Sequence, residues 1–314
     1  METMKAYVCS QYGSPEVLSL ETCKRPVPGD KEVLIKVHAT SVTNSDIFIR
    51  SSRVDKKRLI PFRIAIGLFG PRRKIIGEVF AGTVEQVGRR AERLSTGERV
   101  YGLTGFSLGG YAEYMTLREK SSKRGCMALM PTNVGFEDAT ALAYGGLLAL
   151  QSLEKKTIQK GSKVLLYGSA STTGLFALQY LKHLEAEVTS VCSGGKFDFV
   201  KSFGADKLLD YTKDESIKEL EQYDVIFDCV GKARRSALRT ACGEHIKNRD
   251  DFISIDDEAL LLDEKRLERI TKLAEKKIVE PFNDKVYDFS QMVEAHRYVE
   301  LGHKKGNVAV TVNP

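Results

Sequence analysis

The segment from residue 163 to 211 has the order of elements that a mononucleotide-binding unit requires. The apolar run 164–167 has the length of a strand and stops at Gly168, and Gly174 then opens an apolar segment of helical length. A second strand-like run, 187–192, follows, so that strand, turn, helix and strand fall within about thirty residues. The backbone N–H groups at the start of such a helix are free to hold a pyrophosphate.

The alternation of strand and helix continues after this unit. At the spacing of a glycine triad the chain has Gly168, Ser171 and Gly174, and an ordinary strand-to-helix turn is the alternative interpretation. The continuing alternation favours nucleotide binding and predicts a doubly wound parallel sheet. The further strand candidates are Lys207–Asp210, Asp224–Val230 and Asp251–Ile255, and the helical candidates are Lys196–Phe203, Asp214–Leu220 and Arg234–Cys242.

Residues 1–130 are rich in short strand candidates separated by glycine, proline and charged turns, which is typical of a small barrel. These candidates are Ala6–Cys9, Glu32–His38, Glu78–Val87, Arg99–Tyr101 and Tyr111–Leu117. The pattern over 132–153 predicts a helix interrupted at Gly145-Gly146, where paired glycines permit the close approach of another backbone or a ligand.

The last part of the chain combines helices with short extended segments. Leu267, Ile270, Leu273 and Ala274 share one face of an amphipathic helix predicted over 264–277. The other expected elements are extended segments at Ile278–Phe282 and Lys285–Tyr287, a helix at Ser290–Leu301 and a terminal strand at Asn307–Val312.

Length and cysteine usage indicate an ordinary intracellular globular protein. The 314 residues suffice for two domains with full cores. No apolar run approaches membrane-spanning length, and the N-terminus lacks the core of a signal peptide. The six cysteines are scattered without a CxxC pair, which favours reduced thiols. We therefore expect a cytoplasmic protein without a membrane segment.

The basic residues are concentrated in the window 50–74. It holds nine of them against Asp55 alone, a charge of +8, whereas the whole chain carries +6 and the remainder therefore −2. A nucleic-acid or membrane contact is one interpretation. Because no nucleic-acid motif accompanies the charge, a solvated loop is favoured, anchored by the apolar side chains of Leu59, Ile60, Phe62, Ile64, Ile66, Leu68 and Phe69.

Several stretches in a specific order resemble the medium-chain dehydrogenase/reductase superfamily, and within it the zinc-free quinone oxidoreductase branch. They are VLIKVHATSVTNSDIFIR, GEVFAGTVEQVG, GERVYGLTGFSLGGYAEYM, the 163–211 unit, YDVIFDCVGK and EAHRYVELGHKKGNVAVTV. The resemblance implies a GroES-like β-barrel domain from 1–130 and 280–314, with a Rossmann domain, a doubly wound parallel sheet, inserted at 131–279. It also implies hydride transfer from a nicotinamide cofactor.

The residues at the metal positions depart from the zinc-dependent relatives. Those relatives place a cysteine where this chain has Thr43 and a His-Glu pair where it has Glu78-Val79, and they carry a four-cysteine lobe that is missing here. A catalytic zinc needs three protein ligands, and the five histidines show no ligand spacing. We therefore expect no metal.

The resemblance assigns roles to three residues of the expected catalytic domain and its boundary. Thr43 and Asn44 fall at the nicotinamide and substrate position, and a turn residue is the alternative for Asn44. Asp46 is expected to hold this segment by hydrogen bonds. Tyr144, before the glycine pair, faces the cofactor in relatives and is a candidate proton donor, with a packing role as the alternative.

The expected cofactor contacts lie at the carboxyl ends of the Rossmann strands. The second strand ends at 191–196 without the carboxylate that binds a ribose 2′-hydroxyl in NAD-specific units; Ser193 offers a hydroxyl and Lys196 a positive charge, which predicts NADPH. The full predicted set is Gly168, Ser169, Ser171, Thr172, Thr173, Gly174, Ser193, Lys196, Tyr211, Val230 and Gly231, with Tyr211 assigned by the resemblance.

The chain is thus predicted to be an NADPH-dependent oxidoreductase that reduces a quinone or an activated alkene, an enone or enal, without metal. Two alternatives remain open: a non-catalytic nucleotide- or RNA-binding protein on the same scaffold, and a zinc-independent alcohol or aldehyde reductase. The connection between Ile255 and Glu264 has only eight residues. It is shorter than in the relatives, where a strand of this region often pairs across a dimer axis, so a monomer or an atypical dimer is expected.

Overall fold

A computed structural model describes residues 2–54, 56–231 and 236–313 of the chain. The strands are β1 Thr3–Cys9, β2 Leu18–Lys24, β3 Glu32–Ser41, β4 Val79–Val87, β5 Arg99–Leu103, β6 Tyr114–Arg118, β7 Cys126–Leu129, β8 Lys163–Tyr167, β9 Glu187–Cys192, β10 Lys207–Asp210, β11 Val225–Asp228, β12 Phe252–Ser254, β13 Asn283–Asp288 and β14 Asn307–Thr311. The α-helices are α1 Asn44–Ser51, α2 Lys56–Ile66, α3 Phe136–Leu153, α4 Thr172–His183, α5 Phe197–Ser202, α6 Ala237–Cys242, α7 Glu264–Glu275 and α8 Met292–Glu300.

The chain forms two compact units. The first combines Met1–Tyr144 with Leu262–Lys272 and Phe282–Pro314, and the second combines Gly145–Leu261 with Leu273–Pro281. Residues 131–144 and 262–272, which the sequence analysis assigns to the Rossmann domain, therefore lie with the first unit.

The first unit is a GroES-like barrel built around β3. Its main sheet has the order β13-β14-β3-β4-β5-β7, and β6 pairs with β3 as well. Val33, Ile35 and Val37 alternate on β3 and are fully buried in one core. A second core packs α1 and α8 against β1 and β14. The expected GroES-like barrel fold is confirmed.

The second unit is a parallel sheet of order β10-β9-β8-β11-β12. If β8 is counted as strand 1, this is the order 3-2-1-4-5 of a Rossmann fold. Successive strands are added on one side of β8 up to β10 and on its other side from β11 onward. Val164, Leu165 and Leu166 are fully shielded because both faces of a parallel sheet are covered. The predicted doubly wound sheet is confirmed, and β9 and β10 have the predicted bounds.

Some local expectations are wrong. Helix α3 is continuous through Gly145. A Cβ at this position would lie 2.9 Å from the backbone carbonyl carbon of Thr172, so the glycine serves close packing, one of the roles expected for the pair. The segment 56–66, expected as a loop, is helical, and 278–282 forms no strand. Residues 232–235 of the helix expected over 234–242 lie outside the described residues, and α6 begins at Ala237.

Two strands were not expected. β2 is exposed along most of its length and so lacks the apolar alternation that marks a strand, and β7 has only four residues. The six cysteines are unpaired, five of them buried. Within the described ranges, no helix is both long and apolar enough to cross a membrane.

Candidate active site

The N-terminus of α1 is built by a reciprocal capping box. Thr43 is the N-cap: its hydroxyl accepts from the Asp46 N–H at 3.1 Å and donates to Asp46 Oδ2 at 2.7 Å, while its own N–H donates to the same oxygen at 2.9 Å. This local pattern satisfies N–H groups that lack an intrahelical partner. It also uses the Thr43 hydroxyl proton, and it confirms the structural role expected for Asp46.

Asp46 is fully buried and accepts further hydrogen bonds from other parts of the unit. Its Oδ1 accepts from the Glu78 N–H at 3.1 Å, and the Tyr111 hydroxyl donates to its carboxylate. Burial raises the pKa of Asp46 to about 6, although the donors from Thr43, Glu78 and Tyr111 oppose the rise. With this many donors, Asp46 is the carboxylate that stays ionised.

Glu78 begins the turn into β4 and lies beside this carboxylate. Its Oε2 atom is shielded from solvent and has no hydrogen-bond partner within the protein. Burial, and then the charge of Asp46, raise the pKa of Glu78 to about 8, while a hydrogen bond with Ser45 opposes the rise. Glu78 is therefore mostly protonated at neutral pH, and a shielded carboxyl oxygen without a partner beside a second carboxylate marks a functional-site candidate.

A series of buried hydrogen bonds connects Asp46, through Tyr111 and His296, to Arg50. Arg50 Nε donates to His296 Nδ1 at 3.3 Å, and His296 Nε2 lies 3.1 Å from the Tyr111 hydroxyl. Because Nδ1 accepts, the proton lies on Nε2, which donates to Tyr111, and Tyr111 donates to Asp46. Arg50 also pairs with Glu300. Burial, followed by the charge of Arg50, lowers the pKa of His296 to about 3, so the imidazole stays neutral.

The structure brings Thr43, Asn44, Asp46 and Glu78 together at the start of α1. Asn44 is exposed at the first helical position, and Tyr144 is half-buried on α3. The sequence analysis names Thr43, Asn44 and Tyr144 but treats Glu78 only as a replaced metal ligand. Neither the protonation of Glu78 nor its contact with Asp46 has a local sequence signal, since the two residues are 32 positions apart.

In the second unit, the turn between β8 and α4 is shaped for close backbone approach. A Cβ on Gly174 would lie 2.3 Å from the Gly168 carbonyl oxygen, and one on Gly168 would lie 2.4 Å from Val230 Cγ2. Ser171 is the N-cap of α4, and its Oγ accepts from the Gly174 N–H at 3.0 Å. The turn therefore presents a helix N-terminus of the kind that holds a pyrophosphate.

The hydroxyl residues of this turn differ in exposure. Ser169 is fully buried with its Oγ 3.3 Å from the Val191 carbonyl oxygen, and Thr173 is also buried. Ser171 and Thr172 are half-buried. Ser171 and Thr172 are therefore the members of this set with surface open to a ligand, whereas Ser169 and Thr173 build the turn.

Beside the end of β9, the neighbouring strand β10 ends in a carboxylate that the sequence analysis did not include. Ser193 and Lys196 are half-buried on the turn after β9, and Tyr211 is 44% exposed beside it. Asp210, at the end of β10, accepts from the Gly194 N–H at 3.0 Å and from the Thr212 N–H at 2.9 Å and hydroxyl at 2.7 Å. Burial opposes ionisation, but these donors hold the pKa of Asp210 below its ordinary value.

A second unexpected carboxylate closes β11. Asp228 is fully buried and accepts from the N–H groups of Val230 at 3.0 Å and Gly231 at 3.2 Å. It also pairs with Arg239, and the Ser254 hydroxyl donates to it at 3.1 Å. This carboxylate fixes the Val230-Gly231 turn at the carboxyl edge of the sheet, where ligands of such folds bind. A lone acid ending an apolar strand was the signal available in the sequence.

Among the described residues, no group of three or more histidine, cysteine or acidic side chains is placed to hold a metal ion. The glycine-lined turn, the helix N-terminus and the Ser193–Lys196 turn fit a dinucleotide. A GroES-like barrel and a Rossmann sheet in one chain thus define a nicotinamide-dependent oxidoreductase.

Comparison with known families agrees. Residues 29–127 match the alcohol dehydrogenase GroES-like domain, and residues 203–310 match the zinc-binding dehydrogenase family. The chain is 30% identical to the 2-methylene-furan-3-one reductase of Solanum lycopersicum and to the chloroplastic NADPH-dependent alkenal/one oxidoreductase of Arabidopsis thaliana, each covering 98% of this chain and 79% of the relative. The protein belongs to the medium-chain dehydrogenase/reductase superfamily.

Solved structures show the same fold. The quinone oxidoreductase from Coxiella burnetii superposes with a TM-score of 0.82 at 23% identity, covering 99% of this chain and all of that one. The CurK enoyl reductase superposes with a TM-score of 0.80 at 20% identity, covering 99% of this chain and 100% of that one. The chain therefore has the two-domain fold of these structures.

Proposed function

We propose that the protein uses NADPH to reduce the conjugated double bond of an enone or enal, or a quinone, without a metal. The observation that carries the proposal is the set of groups at the positions where zinc-dependent relatives hold their metal. Thr43 is engaged with Asp46, Glu78 holds a proton, and Val79 is apolar and fully buried. This set lacks the three ligands that a catalytic zinc requires.

The same set favours a conjugated acceptor over a simple carbonyl. Reduction of a simple ketone or aldehyde places alkoxide charge on one oxygen, which needs a metal or a strong proton donor. A conjugated acceptor delocalises that charge over several atoms, so it needs less stabilisation by a metal or a proton donor of the protein. The names of the two plant relatives, a methylene-furanone reductase and an alkenal/one oxidoreductase, support this substrate class.

Each residue of the barrel site has a role in this scheme. The bound nicotinamide supplies the hydride. Asn44, exposed at the first position of α1, orients the acceptor oxygen through its side-chain amide N–H. Asp46 fixes Thr43 and the first turn. Glu78 holds a proton at neutral pH, and Tyr144 offers a second hydroxyl donor to the enolate.

The cofactor preference is proposed from the turn after β9. Lys196 and Ser193 supply a charge and a hydroxyl for the 2′-phosphate, and Tyr211 contacts the adenosine. Asp210 accepts from Gly194 and Thr212 and stays ionised, so its charge opposes a 2′-phosphate and the positive charge of Lys196 has to offset it.

Titration with NADPH and NADH, followed by cofactor fluorescence, tests this preference. We expect tighter binding of NADPH, and a loss of about tenfold for NADPH alone in Lys196→Ala, since a charged hydrogen bond is removed. Lys201→Ala, one turn further along α5, is the matched control. Equal affinities for the two cofactors would refute the assignment.

The reaction is tested by NADPH oxidation with a panel of enones, enals, quinones and simple aldehydes. We expect turnover with conjugated acceptors, no effect of a chelator, and a reduction of about ten- to a hundredfold in Tyr144→Phe if its proton is used. Loss of activity with chelator and recovery with zinc would contradict the mechanism. Binding of NADPH without turnover of any acceptor would favour the non-catalytic alternative.

We also propose the cytoplasm as the location of the protein, on the basis of its six unpaired cysteines. The Arabidopsis relative is described as chloroplastic and further relatives as mitochondrial. Cell fractionation with antibody detection distinguishes these compartments, and recovery with an organelle would overturn the assignment.

A further inference from the structure

Four large apolar side chains in and directly after α2 are exposed to solvent, whereas side chains that anchor a segment are buried. Ile60 is 71% exposed, Ile64 58%, Leu68 58% and Phe69 89%. Ile60 and Ile64 are four residues apart and therefore lie on the same side of α2. Four large apolar side chains exposed within ten residues are unusual for a surface in water. The sequence analysis expected these four side chains to anchor the segment, and that expectation is wrong.

Other contacts hold this segment in place. The Tyr12 hydroxyl donates to the Gly67 carbonyl oxygen at 2.6 Å, and the Arg72 N–H donates to the Ile66 carbonyl oxygen at 2.8 Å. The Arg72 guanidinium donates to the Ile64 carbonyl oxygen at 2.7 Å, so the turn after α2 folds against the helix. Phe62 packs towards the Tyr12 ring, with ring centroids 6.4 Å apart. Leu68 and Phe69 are therefore displayed at the tip of a tethered turn.

Exposed basic side chains lie close to these residues in the sequence, and the Arg72 guanidinium reaches the Ile64 carbonyl oxygen. Arg53, Arg72, Arg73 and Lys74 are exposed, and none of them forms an ion pair with a carboxylate of any described residue. Arg50 is buried and pairs with Glu300, and the half-buried Arg63 donates to Ser52 Oγ and lies over the Tyr12 ring. We call Ile60, Ile64, Leu68 and Phe69, with these four basic residues, the basic apolar face.

We propose that the basic apolar face docks onto the surface of an anionic membrane. Lys and Arg attract anionic headgroups while aliphatic and aromatic side chains enter the boundary between headgroups and acyl chains. A nucleic acid fits less well, because the aliphatic side chains of Ile60, Ile64 and Leu68 give no surface for base stacking. A second copy of the chain fits less well, because two such faces would bring like charges together.

A single introduced tryptophan tests the inference directly, because the chain contains none. Phe69→Trp places the reporter at the tip of the turn. On vesicles of phosphatidylcholine with phosphatidylserine we expect a blue-shifted emission and protection from acrylamide, and neither on phosphatidylcholine alone. Val27→Trp, at an apolar position 74% exposed elsewhere in the same unit, is the matched control and should not respond.

Co-sedimentation with the same vesicles separates the apolar and electrostatic contributions. Leu68→Ser/Phe69→Ser should weaken binding by about tenfold or more. Arg72→Gln/Arg73→Gln should weaken it by about fivefold for each charge removed, and added salt should do the same to the parent protein. Lys24→Gln/Lys31→Gln, two exposed lysines away from the face, should leave it unchanged. Circular dichroism melting checks that each variant is folded.

Two results would overturn the proposal. The first is a folded Phe69→Trp protein whose emission is the same with and without anionic vesicles at low salt. The second is vesicle binding that depends on Arg72 and Arg73 but not on Leu68 and Phe69, which would indicate electrostatic adsorption without insertion of the apolar side chains. Neither result depends on the proposed reaction, since no cofactor or acceptor is present.

Discussion

At the scale of single residues, Glu78 controls how the stability of the barrel unit varies with pH. Its ordinary pKa is 4.5, and burial followed by the charge of Asp46 raises the value in the folded protein to about 8. Between these values the folded state binds a proton that the unfolded chain has released. The free energy of unfolding therefore falls as pH rises through this window, by at most about 1.4 kcal/mol per pH unit for one proton.

Denaturant unfolding across this pH window measures the effect. Glu78→Gln removes the titrating group and keeps a side chain of similar size, so the variant should gain stability relative to the parent as pH rises from 4.5 towards 8. Glu21→Gln, an exposed glutamate of the same unit, should follow the parent at every pH. A constant difference between parent and Glu78→Gln would show that Glu78 does not hold its proton in the folded state.

His296 contributes the opposite dependence at acid pH. Its pKa falls from 6.5 to about 3 in the folded protein, first because of burial and then because of Arg50. The unfolded chain binds the proton first as pH drops below 6.5, so stability is lost on the acid side. The two windows overlap between pH 4.5 and 6.5, where the two slopes oppose each other, so these two residues place the greatest stability of this network in that overlap.

At the scale of elements, the β8–α4 turn depends on the absence of a side chain at Gly174. An added Cβ would lie 2.3 Å from the Gly168 carbonyl oxygen and 2.7 Å from Ser169 Cα, both backbone atoms that cannot rotate away. Gly174→Ala should therefore separate the start of α4 from the end of β8. We expect a loss of about 1–3 kcal/mol in stability and weaker NADPH binding.

Gly243→Ala is the matched control for this turn. A Cβ there lies 3.5 Å from the Thr240 carbonyl oxygen, an ordinary contact, and the glycine follows α6 in the same unit. Thermal unfolding and cofactor titration of the two variants should therefore differ clearly. Equal stability and equal NADPH affinity in both would show that the tight approach at Gly174 is not required.

At the scale of the whole molecule, the short connection after β12 affects assembly. Residues 256–263 form no strand, and β12, three residues long, pairs only with β11 among the described strands. A short edge is a poor template for pairing with another chain. We expect a monomer, or a dimer formed through another surface, rather than one continuous sheet across two subunits.

Sedimentation equilibrium gives the mass in solution, and hydrogen exchange locates any interface. If a dimer is found, the backbone amides of 252–257 should exchange equally fast at concentrations that favour monomer and dimer. Protection of these amides on dimerisation would contradict the expectation and indicate edge-to-edge pairing.

The order of the elements was readable from the chain because it depends on local patterns. The apolar runs at β8, β9 and β10, each closed by polar or glycine residues, predict buried parallel strands, and their order predicts the Rossmann sheet. Where the pattern is weak, prediction fails. Most of β2 faces solvent and so has no apolar alternation, and α2 contains Pro61 and a run of basic residues that resembles a loop.

The residues of the candidate site were partly predicted for the same reason. Thr43 and Asp46 are three positions apart, and Gly168 and Gly174 belong to one turn, so local spacing identifies them. The protonated state of Glu78, the neutral His296 and the engaged Asp210 depend on partners brought from distant parts of the chain. A sequence lists ionisable groups, but their charge depends on burial and neighbours, and the tertiary structure alone decides both.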